Sequence, residues 1–344
     1  MNSIEKGETF VDNILANPYV LQPRMNILNS ATKYLKLPTS QKVIYHYTSP
    51  AGALGILDCT KNKNKKPSLW FTRYDSLNDV NERKNIYKYA KDYCEKKVKE
   101  GAISKKIGEM IVSAEGRDGV IVVSGEDNFE WSGQQYPLAT IKYLDCHVYL
   151  CCFSMDADLL PMWNYYSKSK HYEGYSIGFY HGSLENDVFN ETGYITRVGK
   201  VIYSDEDKET IFDSILLPLA YEYEKGKITE KIVKNSIKEL IEVFQFFFKD
   251  KAFEHEKEVR CVLYVPKDKN IREIPRISDV QYRESNGYIV PYVVYDCDKF
   301  GVKKIVTAPL LEKDLAVKNM KEYLSSQGYS DGIDVVASEV PIRF

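Results

Sequence analysis

Three charged residues at alternate positions, Glu256, Glu258 and Arg260, run into the apolar stretch Cys261-Val262-Leu263-Tyr264-Val265, which Pro266 ends. The Val, Leu and Tyr content predicts a buried strand. Side chains alternate between the two faces of a strand, so all three charged groups are expected on one face at its mouth. Two carboxylates at this spacing repel, which raises one pKa, while the guanidinium pulls both down. Such a pair suits general acid/base work or the stabilisation of a developing cation. The same pattern fits an edge strand whose charged face is solvated or ion-paired, and this segment alone leaves both readings open.

A second set lies upstream. Val43-Ile44-Tyr45-His46-Tyr47-Thr48-Ser49 reads as a short strand delivering a histidine, followed by a helix that Ser49 caps and Pro50 opens, with Leu54 and Leu57 as its apolar face. A histidine beside a helix start lies where backbone N–H groups can hold an anion such as a phosphate; a core histidine satisfied by a carbonyl fits equally. Further on, a strand ends at Ser154 and a helix over 162–168 carries Trp163 and Tyr166 one turn apart. They read as a core aromatic pair or as a wall for a flat ring. Asn78 and Asp79 before Glu82 fit a helix cap, with orientation of a site residue as the alternative.

Composition narrows the functional classes. The chain has 344 residues and 44% hydrophobic content, enough for one elaborated domain or two closely joined ones. A net charge of −2 gives no global basic field to draw it to nucleic acid. The run Lys61-Asn62-Lys63-Asn64-Lys65-Lys66 reads as a solvated loop. The 7 cysteines follow no metal or disulfide spacing, and Cys151-Cys152 sits in an apolar run where a thiol acts as a small hydrophobe. A reducing cytoplasm and no membrane span are therefore expected. No Gly-rich phosphate loop or His-Glu-x-x-His metal motif occurs, so metal binding is not expected. Tyrosine, at 27 residues against 14 Phe, suits surfaces that recognise planar or polar ligands.

The elements expected to position these groups are helices over 7–17 (Phe10, Val11, Ile14, Leu15, stopped by Asn17-Pro18), 81–100, 103–113, 206–250 and 311–327. Strands are expected over 69–72, 119–124, 148–154, 175–180, 197–203, 288–295, 302–307 and 333–342, with 126–137 as a loop. Strands interrupted by helical blocks indicate α+β. The domain reading is an N-terminal helical extension over 1–40 and a single α+β domain over 41–344, with helical insertions near 80–115 and 206–250.

Taken in order, Tyr45-His46-Tyr47-Thr48-Ser49, Leu69-Trp70-Phe71-Thr72, Leu77-Asn78-Asp79-x-x-Glu82, Cys152-Phe153-Ser154, Met162-Trp163-x-x-Tyr166, Gly178-Phe179 and Glu256-Lys257-Glu258-Val259-Arg260 resemble the bacterial domain-of-unknown-function family numbered 2971. The resemblance runs from Tyr45 to Val340-Pro341-Ile342-Arg343; Phe253 departs from it, where Trp is expected. More distantly, the motif order is similar to the ADP-ribosyltransferase fold, whose split, bent β-sheet binds NAD in its cleft. That resemblance implies an NAD site in which His46, followed by Tyr47 and Thr48, holds the adenosine-side ribose. It places Tyr166, with Ser154 and Trp163 behind it, at the nicotinamide, and Glu258 at the other ribose. Glu256 matches the first Glu of a Glu-x-Glu pair. Breaking the nicotinamide–ribose bond builds oxocarbenium character, which a fixed carboxylate stabilises, while a second carboxylate deprotonates the acceptor.

The function this implies is transfer of ADP-ribose from NAD to a protein or nucleic-acid acceptor, as in bacterial toxins and phage-defence effectors, with an antitoxin or inhibitor as a possible partner. A non-catalytic module sensing a nucleotide or phage component, and a hydrolase using Glu256 and Glu258 on another glycosidic bond, are the alternatives.

Overall fold

The computed structural model describes residues 18–60, 66–77, 83–131, 134–166, 173–185, 194–267, 276–285 and 287–341, with backbone alone over 18–21 and 120–143. Its framework is a mixed sheet of 11 strands. The trunk is β4 (Gln134–Ser154), whose second half pairs antiparallel with all of β7 (Glu258–Pro266), and β7 pairs in turn with β6 (Ile195–Lys200). The other edge of β4 is shared by two wings. β1 (Val43–Thr48) meets it at Tyr45↔Ser154 and then leaves to pair with β5 (Tyr175–Tyr180), β10 (Val302–Thr307) and β11 (Asp334–Ala337). β2 (Ser68–Arg73) meets it at Thr72↔Leu150 and leads to β9 (Tyr288–Asp296) and β8 (Gln281–Ser285). The sheet therefore splits into a wedge at residues 151–153 of β4. The chain is α+β, as its pattern of strands and helical blocks predicts.

Helices cover both faces. α2 (Pro50–Leu57) and α8 (Lys313–Ser326) lie over one, where Ile44, Phe71, Phe153, Val259 and Ile305 form a core. The opposite face carries α1 (Pro18–Leu35), α3 (Lys84–Lys99), α4 (Lys105–Val112), α6 (Asp205–Glu224) and α7 (Glu230–Phe244) around Leu150, Val262 and Tyr264. α5 (Leu160–Tyr166) packs a smaller cluster, Trp163 on Tyr47, over the β1 wing. Ser49 caps α2 by accepting from Gly52 N–H, with Pro50 in the first turn, and Ala53, Ile56 and Leu57 are its buried residues while Leu54 is exposed.

Several expectations are corrected. The helix over 7–17 lies outside the described residues, and Pro18 opens α1 rather than marking only a stop. Residues 126–131 and 134–137 belong to an antiparallel ribbon, β3 (Gly119–Trp131) with β4, because the ladder is made by backbone groups and a two-stranded arm needs no continuous apolar face. The segment 206–250 is two helices joined at 225–229, with Gly226 at φ +70 ending the first. Phe246, Phe247 and Phe248 lie beyond α7, all buried, and Phe248 bridges Ile202 in parallel register. The last strand covers four residues, Asp334–Ala337, and β8 was not anticipated because its burial pattern is that of an exposed edge. Among the described residues no helix is long and apolar enough to cross a membrane.

Gly178 shows how tightly the β1 wing is built. A Cβ there would stand 2.8 Å from both Tyr45 Cε1 and Val43 Cγ1, and 3.2 Å from the Lys304 carbonyl oxygen. Gly178→Ala is therefore expected to destabilise by about 1–3 kcal/mol through overpacking. Thermal denaturation of this variant, with an unchanged melting temperature as the contrary result, tests the packing.

Candidate functional site

The wedge leaves Cys152 facing the gap between Ser154, which pairs with β1, and Leu150, which pairs with β2. Its carbonyl accepts a hydrogen bond from His46 Nδ1 at 2.9 Å, and the imidazole stands edge-on to Phe153 at 5.6 Å. A carbonyl can only accept, so Nδ1 carries the proton. Burial lowers the His46 pKa; the Cys152 bond opposes this and the Arg283 charge adds to it. The ring is thus neutral near pH 7, with the lone pair on Nε2. The anion site expected at the start of α2 is instead closed by the Ser49 cap. Thr48 packs against the first turn of α2, where a Cβ on Gly52 would meet its Oγ1.

Glu258 lies two strands from His46, and His46, one residue along β1 from Tyr45, turns to the other face with Phe153 and Ile177. Tyr45, Ser154 and Glu258 form one row across β1, β4 and β7, which spans roughly 10 Å at the usual strand spacing. Glu256 is not on the strand: it ends a 3-10 turn, Lys251–Glu256, and Lys257 at φ 47 ψ 46 breaks the run before β7 begins. Its carboxylate nevertheless converges with that of Glu258. Lys249 Nζ lies 2.6 Å from Glu256 Oε2 and 2.8 Å from Glu258 Oε2. Arg260 grips Glu258 through Nε to Oε1 at 2.8 Å and Nη2 to Oε2 at 3.1 Å, and donates Nη1 to the Phe246 carbonyl at 2.6 Å. Two carboxylates thus meet two cations, with Arg260 fully buried and Glu258 4% exposed. Burial would raise the Glu258 pKa, but Arg260 and Lys249 outweigh it and hold it at about 2. Burial would likewise lower Lys249, and Glu258 instead raises it. Outside Lys249 a cleft of about 310 Å³ opens between α3 and the start of α6, lined also by Tyr89, Tyr93 and Lys208.

The other expected contacts divide. Ser154 is fully buried and donates to the Glu256 carbonyl at 2.8 Å, so it fixes the turn. Tyr47 is buried too; its hydroxyl donates to the Asp156 carbonyl and accepts from Leu159 N–H. Trp163 is a core residue whose Nε1 donates to Asp158 Oδ1 at 2.7 Å, so it offers no open ring face to a ligand. Tyr166, at the end of α5, remains 39% exposed. Asn78, Asp79 and Glu82 lie outside the described residues. Sequence reasoning missed Lys249, which a run of phenylalanines hides, and Arg283, which approaches His46 from β8. Among the described residues no group of three or more His, Cys, Asp or Glu is placed to hold a metal.

Residues 162–261 match the family model described as a protein of unknown function, DUF2971. The resemblance to that family is thereby shown over residues 162–261. No curated protein and no solved structure matches the chain. The matched segment contains Met162 to Tyr166 of α5, Lys249, both glutamates and Arg260, whereas His46 and Arg283 lie outside it.

The ion cluster has a pH signature. The folded pKa of Glu258 is depressed, so its contribution is present above the unfolded value near 4.5 and is lost as pH falls toward about 2. At about 1.4 kcal/mol per unit this amounts to roughly 3 kcal/mol. Acid denaturation should therefore steepen below pH 4.5. Glu258→Gln should flatten that limb while costing about 3–5 kcal/mol at neutral pH, because it leaves Lys249 and Arg260 buried and underpaired. Urea titrations from pH 2 to 7 measure both, and identical limbs in the two proteins would remove Glu258 from this role.

Proposed function

We propose that the wedge between β1 and β2 binds NAD and that the protein transfers ADP-ribose to a protein or nucleic-acid acceptor. The observation that carries this reading is a neutral histidine in the split of the sheet, two strands from a carboxylate pair. His46 Nε2 accepts from a hydroxyl of the adenosine-side ribose, and Tyr166 supplies the exposed ring for the nicotinamide. Glu258 Oε1 accepts one bond, from Arg260 Nε, and has capacity for a second from the other ribose. The C–N bond to nicotinamide breaks with its electron pair leaving on the ring, and the carboxylate stabilises the sugar cation that develops. The acceptor then bonds to the anomeric carbon and releases its proton toward Glu256. An activity of this kind suits a toxin or defence effector held in check by an inhibitor.

A non-catalytic nucleotide-binding module is the second reading. It is favoured by the engagement of both Glu258 oxygens in the buried ion cluster.

Incubation with labelled NAD and cell extract, followed by separation of protein and RNA, tests transfer, and calorimetry with NAD tests binding. Label is expected in one fraction and is expected to fall about a hundredfold or more in Glu258→Gln, the scale for removing a group that stabilises transition-state charge. Thermal melts select folded preparations of this variant. Tyr166→Ala should stay folded and bind NAD less tightly, and Glu256→Gln should lose transfer but retain hydrolysis. Tight NAD binding without turnover favours the second reading, and no NAD binding at millimolar ligand overturns the first.

A further inference from the structure

On the β2 side of the wedge an arginine is held on an aromatic platform. The Arg283 guanidinium lies over the Trp70 ring, 5.4 Å from its centroid, and over Tyr292 at 5.7 Å. The two rings stack on each other at 4.6 Å and 33°. Arg283 Nη2 donates to Thr72 Oγ1 at 2.8 Å, and the Tyr292 hydroxyl donates to Gln281 Oε1 at 2.9 Å, so both the cation and its platform are fixed. Among the described residues no carboxylate pairs with Arg283, and its Nε is buried without a hydrogen-bond partner. A buried donor left unmet is uncommon, because it keeps its desolvation cost with nothing in return. A guanidinium is a planar fork matched to phosphate or carboxylate oxygens. Beside it Trp70 keeps 45% of its surface exposed, a ring on which a nucleobase can stack.

We propose that Arg283, Trp70, Tyr292 and Thr72 form a subsite for the phosphate-bearing end of a nucleotide, with the phosphate on Arg283 and the base on Trp70. This deepens the nucleotide reading and rests on it for the identity of the cleft. Thr72 belongs to the last pair that β2 makes with β4 before the wedge opens, which places the subsite at its mouth. The same Arg283 charge is one cause of the lowered His46 pKa, so the two groups share one electrostatic environment.

Calorimetric titrations of the full chain with ADP, inorganic pyrophosphate and adenosine test the subsite without requiring any transfer chemistry. ADP is expected to bind at least tenfold more tightly than adenosine, and pyrophosphate to compete with it. Arg283→Met should weaken ADP at least tenfold and leave adenosine unchanged. Arg283→Lys should recover part of the loss, because the charge survives and the planar fork does not. Trp70→Ala should weaken ADP and adenosine alike, with melts confirming that each variant is folded. No binding of ADP or pyrophosphate to the wild type, or equal ADP affinity in wild type and Arg283→Met, overturns the proposal. ADP held through Arg283 while NAD is neither bound nor consumed keeps the subsite and removes the NAD reading. NAD consumed equally well by Arg283→Met does the reverse.

Discussion

One edge of β4 cannot serve two wings at once, and the architecture of the cleft follows from that constraint. β7 fills the opposite edge from Cys146 to Ser154, leaving β1 and β2 to compete for what remains. Each obtains only a short foothold, one at Ser154 and the other at Leu150 and Tyr149, before diverging to better partners. A backbone polar group left facing such a gap must find a side chain or water. His46 meets the need of Cys152 with its Nδ1 proton. The bond that closes the sheet is thus the one that fixes the tautomer, leaving the lone pair on Nε2.

The second constraint is charge. Glu256 and Glu258 arrive from different elements, a 3-10 turn and a strand, and Lys249 arrives from the segment that follows α7. That segment is pinned by Ile202 N–H donating to the Phe247 carbonyl and Lys249 N–H donating to the Ile202 carbonyl. The cluster is neutral as a whole, which is what allows it to be buried; removing any one member leaves a charge underpaired. Between the two glutamates Lys257 is the non-glycine residue with positive φ among the described residues. Strain of this kind persists where the surroundings dictate it, and here Met155 N–H donating to the Lys257 carbonyl and the Lys257–Asp156 pair hold the turn. The left-handed residue turns Glu256 back toward Glu258, which a continuous strand would have placed one pleat further along the same face.

The elements with strong local signals were legible in the sequence. Ser49-Pro50 started a helix, Cys261 to Val265 formed a buried strand, and the aromatic helix followed Ser154. What failed did so because partners distant in sequence decided the outcome. Trp163 reads alike as a ligand wall or a core residue, and only its contacts with Tyr47 and Asp158 settle it as core. Glu256 fits strand alternation perfectly well, but the turn at Lys257 overrides the period. Lys249 carries no motif, and Arg283 sits on a strand of five residues whose exposed pattern resembles a loop. The alternative first weighed for the glutamates, ion pairing, describes their present contacts, but buried rather than solvated.

These two constraints separate binding from chemistry. A ligand hydroxyl can approach His46 Nε2 without disturbing the Nδ1 bond to Cys152, so occupancy of the wedge leaves the junction of β1 and β4 intact. The transfer proposed above would make a different demand at Glu258, because its oxygens already serve Arg260 and Lys249. A ribose hydroxyl must either use the second acceptor direction on Oε1 or displace one of the cations. Displacing Arg260 would strand a fully buried guanidinium that also holds the Phe246 carbonyl, whereas Lys249 borders the cleft beside α3 and has Glu256 as a second partner. Lys249 is therefore the cheaper group to move, and its bond to Glu256 keeps the displaced ammonium paired. Under the proposed transfer Glu256 would have a part to play even before an acceptor arrived: it holds the cation that Glu258 would share with the sugar.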